Sequence, residues 1–289
     1  MMEAFACGCC NDGSDKSELH DKLAVKALNW AEEPVANSAG LKTDAGPLAL
    51  QARPLVTLAD GATYIGQWKG SVRHGYGVHT RHDGQVYEGQ FADDQAHGHG
   101  KCVAPNGNVY EGEWQLDRAH GSGKYRHMDG STYDGQWLMD EKSGQGIESW
   151  IDGAHYEGSF RSGMKHGRGI YTTSSGIRYE GEFLHDKMHG EGHYKFVDGR
   201  TYKGQWQKSH IHGHGLMQWP NGSSYEGQYQ NDLKSGEGSF CWPDGRMYRG
   251  QWRNGKQDGS GTTIDRNGTS TRAEWVKGER VQLKADVPS

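Results

Sequence analysis

Three histidines alternate in the stretch HIHGHG at residues 210–215, and an extended chain would place His210, His212 and His214 on one side. Three imidazoles at that spacing suggest a zinc site, because neutral imidazole is a common zinc ligand. However, His212 occupies a recurring position, described below, that holds serine or aspartate in other copies. Equivalent positions would also lie two strands apart, about 10 Å, which is too far to share one metal. We therefore expect His212 to bond backbone at a turn, and we expect neither a bound metal nor a cofactor.

A second stretch imitates a nucleotide-binding loop. Residues 120–125, HGSGKY, end like a phosphate loop, but Arg118 stands where that motif needs its first glycine. Serine, histidine and aspartate are abundant, yet they fall at recurring positions and form no unique catalytic constellation. The sequence therefore predicts a protein that is not an enzyme.

The third chemical feature is a cysteine cluster, CGCC, at residues 7–10. Cys7, Cys9 and Cys10 precede a predicted helix in a flexible terminus, a context that suits reversible palmitoylation. Met2 stands where myristoylation would need a glycine. The alternative is three exposed thiols without a role. With only two further cysteines, far apart, the chain lacks a disulfide framework and we expect reduced thiols.

Composition narrows the fold and the partner classes. Only 33% of the 289 residues are hydrophobic and 45 are glycine, which costs roughly 1 kcal/mol relative to alanine inside a helix. The sequence therefore favours strands and turns, with 10 Trp and 14 Tyr supplying much of the apolar area. A formal charge of −5 without a basic run argues against nucleic acid. No transmembrane stretch or secretory signal is evident, so we expect a cytoplasmic protein.

A strict repeat organises these residues. Tyrosine recurs nine times at intervals of 23 residues, and a second aromatic residue follows each tyrosine by four positions. In order, the pairs are Tyr64 and Trp68, Tyr87 and Phe91, Tyr110 and Trp114, Tyr133 and Trp137, Tyr156 and Phe160, Tyr179 and Phe183, Tyr202 and Trp206, Tyr225 and Tyr229, and Tyr248 and Trp252. A degenerate tenth copy keeps only Trp275. A period this constant is typical of a solenoid.

Each copy predicts one β-hairpin. In YKGQW, Tyr202 and Trp206 alternate with Lys203 and Gln205, which is the period-two pattern of a strand. A second strand follows a Gly-x-Gly, and Asp-Gly or Asn-Gly junctions predict tight turns in which both residues tolerate positive φ. Consecutive hairpins would form an elongated, single-layer antiparallel meander whose aromatic face lacks a covering sheet. We expect the eighteen paired aromatic residues above to line a partner-binding groove.

The combination Tyr-x-Gly-x-Trp/Phe, His-Gly-x-Gly and Asp-Gly resembles the MORN (membrane occupation and recognition nexus) repeat, with nine copies over residues 58–270. The resemblance implies an all-β hairpin solenoid that acts as a non-catalytic scaffold. It implies protein partners, among them a helical or extended peptide, at a membrane, cell cortex or cytoskeletal or ciliary structure. The alternative is a phospholipid-binding or enzyme-regulating module acting in trans. Asp94, Asp117, Asp140 and Asp186 replace the family's usual Asn-Gly-Lys loop, which argues against phosphoinositide binding by the repeats.

The flanking segments complete the predicted organisation. We expect a flexible cysteine-rich terminus over residues 1–13, a short amphipathic helix over 14–33, a linker over 34–57, the solenoid over 58–275 and a tail over 276–289. The open strand edge near the last copy predicts self-association as a homodimer, unless the degenerate copy blocks it.

Replacing Cys7, Cys9 and Cys10 by serine should move the chain from the membrane fraction to the soluble fraction. Each buried acyl methylene contributes roughly 0.8 kcal/mol, so two palmitoyl chains would outweigh any attraction of an acidic repeat surface to lipid. Fractionation of cells expressing each form measures the shift. A membrane-bound cysteine variant, together with sedimentation of residues 58–275 with anionic liposomes, would favour the lipid-binding alternative. If neither form meets a membrane, the thiols have no anchoring role.

Overall fold

The structure, a computed structural model, describes residues 49–281, which form strands and turns and contain no helix. The described chain comprises two compact units, residues 49–151 and 152–281. The first unit contains β1 (Leu50–Thr57), β2 (Thr63–Lys69), β3 (Val72–Thr80), β4 (Val86–Ala92), β5 (Gln95–Val103), β6 (Val109–Gln115), β7 (Arg118–Arg126), β8 (Thr132–Leu138) and β9 (Glu141–Ser149). The second contains β10 (His155–Arg161), β11 (Met164–Thr172), β12 (Arg178–Leu184), β13 (Lys187–Lys195), β14 (Thr201–Gln207), β15 (His210–Gln218), β16 (Ser224–Gln230), β17 (Leu233–Cys241), β18 (Met247–Arg253), β19 (Lys256–Ile264), β20 (Ser270–Val276) and β21 (Glu279–Val281).

Within each unit, every strand pairs antiparallel with the next strand in sequence. Each 23-residue copy contributes a seven-residue strand carrying the tyrosine and a nine-residue strand carrying the Gly-x-Gly. The predicted all-β class and the hairpin in every copy are therefore confirmed. The predicted helix at 14–33 and the cysteine-rich terminus at 1–13 lie outside the described residues.

A row of glycines crosses each unit perpendicular to its strands. In the second unit Gly204 pairs with Gly215, and Gly215 pairs in turn with Gly227 on the next strand. A Cβ added to Gly215 would lie 2.5 Å from ring atoms of Tyr202, because the tyrosine ring lies flat across the facing glycines. The row therefore forms the floor on which the tyrosines pack. It ends at Ala273, which pairs with Gly261 in the copy that lacks a tyrosine.

A β-bulge interrupts the long strand of each hairpin. In β15 the register shifts between the Gly204–Gly215 pair and the Trp206–Ile211 pair, and Gly213 has a φ of +64°. In six of the nine copies the third residue after the tyrosine is glutamine, whose side-chain oxygen accepts the free backbone N–H of the bulge over 2.8–3.2 Å. Gln205, for example, accepts the N–H of His214 with its side-chain oxygen at 2.9 Å. The bulge increases local twist at the same place in every copy.

The tight turns occur where the sequence did not place them. At the Asp-Gly and Asn-Gly junctions only the glycine has positive φ, and the Asp or Asn side chain accepts the N–H two residues later, as in Asp83 to Gln85 at 2.9 Å. The two-residue turns with both φ values positive lie instead inside the hairpins of the second to ninth copies, for example at Leu116 (52°) and Asp117 (66°). The prediction was wrong because Asp-Gly also suits a three-residue loop whose glycine alone is left-handed.

Both predicted flanks of the solenoid need correction. Residues 50–57, assigned to the linker, form β1, which pairs with β2 along its length except at a register shift around Pro54. Proline at that irregularity sacrifices no ladder hydrogen bond. Arg53 fixes the strand by donating to the carbonyl of Gly70 at 2.6 Å and lying 5.0 Å from the Trp68 ring. At the other end, Glu279–Val281 of the predicted tail forms β21.

Gly215→Ala should lower stability by about 1–3 kcal/mol, because the new methyl group overlaps the ring of Tyr202 and overpacking costs that much. Chemical denaturation midpoints of the full chain measure the loss. Ala273→Gly is the matched control in the same row, where no tyrosine ring lies, and its effect should stay within about 1 kcal/mol. An unchanged or raised stability of Gly215→Ala would contradict ring packing, because reduced entropy of the unfolded chain alone would make this variant slightly more stable.

Candidate functional site

The predicted groove residues form the buried core of each unit. Within each unit, a tyrosine meets the aromatic residue four positions later and the equivalent residue of the next copy of that unit, with ring centroids 5.0–5.5 Å apart and planes at 82–90°. We call this edge-to-face series the aromatic ladder. Its tyrosines are 0–7% exposed and their aromatic partners 4–7%, apart from Trp114 and Trp275, which are half-buried. Partner binding along these rings stays a prediction, and their burial leaves little ring surface for it.

The nine tyrosines that recur every 23 residues also satisfy their hydroxyls internally, whereas the buried hydroxyl of Tyr229 has no hydrogen-bond partner among the described residues. The O–H donates to the carbonyl of the residue three positions later over 2.8–3.1 Å, as Tyr202 does to Gln205. Burial disfavours the phenolate and raises the pKa of these tyrosines, to about 12 for Tyr248 and further for Tyr64 and Tyr202. The ladder is therefore a neutral, hydrogen-bonded structure with no acid–base role at neutral pH.

The aromatic face becomes accessible along the second strand of the later copies. Tyr194 and Phe196, and then Trp219, Phe240 and Trp242, are half-buried. They contact one another and the ladder, with Tyr194 5.5 Å from Trp206 and Phe240 4.9 Å from Trp242. We call these five residues the aromatic shelf. The sequence pattern did not mark them as a site, because the strict period singles out the ladder positions instead.

A cation occupies one variable position on this face in four copies. The ninth residue after the tyrosine is Arg73, Lys142, Lys165 or Lys234. Arg73 pairs with Asp94 at 3.3 Å, Lys165 pairs with Asp186 at 3.7 Å, and Lys142 pairs closely with Glu148. Among the described residues no carboxylate lies within 4.0 Å of the Lys234 ammonium.

Lys234 instead lies among aromatic rings. Its Nζ is 4.5 Å from the ring centroid of Trp252, 4.6 Å from that of Phe240 and 5.5 Å from that of Trp219. Burial lowers its pKa to about 8, because the charged form loses hydration. The ring faces compensate part of that loss through cation–π attraction. Lys234 therefore adds an incompletely neutralised cation to the aromatic shelf.

The acidic loop residues have a structural role that the sequence did not reveal. Five aspartates at the second position of the two-residue turns form hydrogen bonds with the preceding copy. They are Asp94, Asp117, Asp140, Asp186 and Asp232. Each carboxylate accepts the N–H of the residue 21 positions earlier over 2.7–2.9 Å, and each backbone N–H donates to that same residue's carbonyl. We call this the aspartate clasp, and it links successive copies.

The three histidines of HIHGHG are not brought together as ligands. His210 Nδ1 lies 2.6 Å from Asp232 Oδ2 in an exposed pair, and the left-handed Gly213 breaks the strand alternation between His212 and His214. His212 Nδ1 is buried without a hydrogen-bond partner among the described residues, so the expected turn bond is absent there. Its equivalent His74 does accept the N–H of Asp93, at 3.4 Å.

Residues 49–281 contain no group of three or more His, Cys, Asp or Glu side chains arranged to hold a metal ion. Metal-free function stays a prediction. This part of the chain also includes no helix of the length and apolarity needed to cross a membrane. Cys102 and Cys241 are both free thiols.

Comparison with known proteins points to one repeat family. The MORN repeat matches nine successive segments, at residues 64–86, 87–109, 110–132, 133–155, 156–178, 179–199, 202–224, 225–245 and 248–270. No curated protein matches the chain.

Several solved structures are similar over part of the chain. The TCP10 domain of Danio rerio CPAP in complex with a peptide of Danio rerio STIL is 12% identical, with 76% of this chain and 98% of that chain covered and a TM-score of 0.30. The TCP10c domain of Drosophila melanogaster Sas-4 is 13% identical, with 70% and 100% covered and a TM-score of 0.28. Virginiamycin B lyase from Staphylococcus aureus is 12% identical, with 80% and 84% covered and a TM-score of 0.16. All of these scores lie below 0.5, too low to carry an argument about this chain.

Alkaline pH should unfold the sheet between about pH 10 and 12. The folded-state pKa of the ladder tyrosines lies above the unfolded value of about 10, so their stabilising contribution is complete below pH 10 and is lost above it. Lys234 acts oppositely between about pH 8 and 10.5, but it is a single group. Tyrosinate absorbance should therefore rise together with loss of the β-sheet circular dichroism signal. Titration near pH 10 with the sheet intact would contradict burial of the ladder, and the chain in urea provides the control.

Proposed function

The chain belongs to the MORN repeat family, and from that premise we propose that it is a non-catalytic scaffold that binds a protein partner on its aromatic face at a membrane–cytoskeleton boundary. Repeats of this family are generally modules that bind proteins or membranes. The observation that carries the proposal is the aromatic shelf, since clustered, half-buried aromatic side chains on one face are characteristic of interaction sites.

The shelf suits recognition better than the ladder does. The ladder positions hold nearly the same residue types in every copy and are occupied by internal packing. The shelf positions differ between copies, because the fifteenth and seventeenth residues after the tyrosine are both aromatic only in the copies with Tyr194 and Phe196 and with Phe240 and Trp242. A specific partner needs a surface that distinguishes one part of a repeating sheet from another. Only the variable positions provide it.

The chemistry of the shelf also favours a protein ligand. Tryptophan and tyrosine dominate binding hot spots because they bury a large area at a low cost in side-chain entropy. An extended or helical peptide could lay its apolar side chains against Trp219 and Trp242. Rings held from below by the ladder are already ordered, so binding loses little further conformational freedom.

We propose membrane attachment on the basis of the N-terminal cysteine cluster at residues 7–10. Cys7, Cys9 and Cys10 would anchor the protein if acylated, and they lie outside the described residues. The anchor and the binding face would then act separately, one deciding location and the other deciding the partner. A phospholipid-binding module would instead require the repeats themselves to hold lipid.

Replacing Trp219 and Trp242 together by glutamine should reduce partner capture about tenfold or more, because the variant loses two aromatic contact surfaces. Affinity capture of the full chain from cells, followed by quantitative mass spectrometry, identifies proteins lost from the variant. Ile147→Gln with Ile151→Gln is the matched control, since these side chains are 46% and 79% exposed and belong to the unit that does not contain the shelf. Identical capture by all three forms would refute binding at the shelf, and retention of the chain on protein-free anionic vesicles would favour the lipid-binding alternative.

A further inference from the structure

The repeat supplies its own reference for what neutralises the cation at the ninth position. At Arg73 the carboxylate of Asp94 accepts both the backbone N–H, at 2.7 Å, and the guanidinium Nε, at 3.3 Å. At Lys165 the carboxylate of Asp186 accepts the backbone N–H at 2.9 Å and lies 3.7 Å from the ammonium. In both copies, one carboxylate from the next turn accepts the backbone N–H of the cationic residue and forms an ion pair with its side chain.

The copy that contains Lys234 lacks this carboxylate. The equivalent turn residue is Gly255, whose N–H still donates to the Lys234 carbonyl at 2.9 Å, so the backbone arrangement is preserved. A Cβ added at Gly255 would meet nothing closer than a Leu233 side-chain atom at 3.8 Å. The space that the aspartate side chain occupies in other copies is therefore open beside Lys234. This turn offers no side-chain acceptor to the ammonium or the backbone N–H of Lys234.

A cavity marks the same place. It has a volume of about 370 Å³, opens to solvent, and is lined by Lys234, Trp242, Gly255, Lys256, Lys277 and Glu279. Three lysines against one glutamate make the lining cationic. The ring of Trp242 belongs to the aromatic shelf, so the cavity continues the surface to which a partner peptide would bind.

We propose that this cavity binds the carboxylate of an aspartate or glutamate side chain from a partner protein, in the place that Asp94 and Asp186 occupy within the chain. The inference rests on the proposed scaffold function and names the chemistry of the partner. A carboxylate fits better than a phosphate dianion, because the internal reference is a carboxylate and Glu279 on the rim repels a second negative charge. Apolar neighbours of the acidic residue would contact Phe240 and Trp242.

The test compares two capped peptides, acetyl-Ala-Phe-Glu-Phe-Ala-amide and its glutamine counterpart, titrated against the full chain. Tryptophan fluorescence and the NMR signal of the Lys234 side chain follow binding. We expect the glutamate peptide to bind at least tenfold more tightly than the glutamine peptide, and Lys234→Gln to abolish that preference. Equal binding of the two peptides would overturn the proposal. So would competition by inorganic phosphate that is as effective as binding of the glutamate peptide itself.

Gly255→Asp gives a second test that does not remove the lysine. Aspartate adopts this turn position in five copies at φ values of 65–72°, close to the +80° of Gly255, so the variant should fold. Its carboxylate should occupy the cavity from within the chain and weaken binding of the glutamate peptide at least tenfold. Gly255→Asn is the matched control, which adds an uncharged side chain of the same size and should retain most of the binding. Unchanged binding to Gly255→Asp would refute the proposed site.

The same variants separate this inference from the scaffold function. If the full chain captures a partner that Lys234→Gln and Gly255→Asp retain at wild-type levels, the carboxylate site is wrong and the scaffold stands. If vesicles of phosphatidylcholine and phosphatidylserine bind the chain in a Lys234-dependent way while the glutamate peptide does not, the site is a lipid-headgroup site and the proposal also fails.

Discussion

The packing of each tyrosine ring across a facing pair of glycines is the constraint on which the rest of the sheet depends. A methyl group at Gly215 would overlap the ring of Tyr202, and no other residue is small enough for the ring to lie flat there. Once flat, the ring reaches the aromatic residue of its own copy and of the next, at about 5 Å each. Each such contact contributes about 0.5–1.5 kcal/mol beyond burial. A single-layer sheet thereby obtains a core from its own face without a second sheet to cover it.

This packing also explains why the period is invariant. A one-residue slip in a strand would turn its side chains to the other face, so the ring would lose its glycine floor and both aromatic partners. An insertion in a turn would move the aspartate clasp away from the residue 21 positions earlier. Both interactions join neighbouring copies, so the distance between copies cannot drift. The clasp also supports turns in which residues such as Leu116 hold an unfavourable positive φ.

The fold could be predicted from the sequence because its determinants are local and repeated. Alternation in YKGQW and the glycine spacing are visible within one copy, and they predicted strands, hairpins and their order. The clasp joins Asp232 to Ile211 in another copy, so inspection of a single loop suggested only an acidic surface. The burial of the ladder depends on ring geometry, which a sequence pattern does not contain. Strand β1 was missed because Pro54 indicates a linker unless a pairing partner is known.

Repetition separates the residues that build the molecule from those that can recognise a partner. Positions that are identical in every copy are committed to the ladder, the glycine row and the bulge, so changing one of them damages the sheet. Positions that vary on the same face can change without that damage, as Arg73, Ile211 and Lys234 at one such position show. A single further change, glycine for aspartate in the next turn, leaves the backbone bond to Lys234 intact and removes only the neutralising carboxylate. In a repeat of this kind, loss of one internal contact is therefore enough to create a candidate binding site. Without the aspartate, the backbone N–H and the cationic side chain that form internal contacts at Arg73 and Lys165 become available to an external ligand.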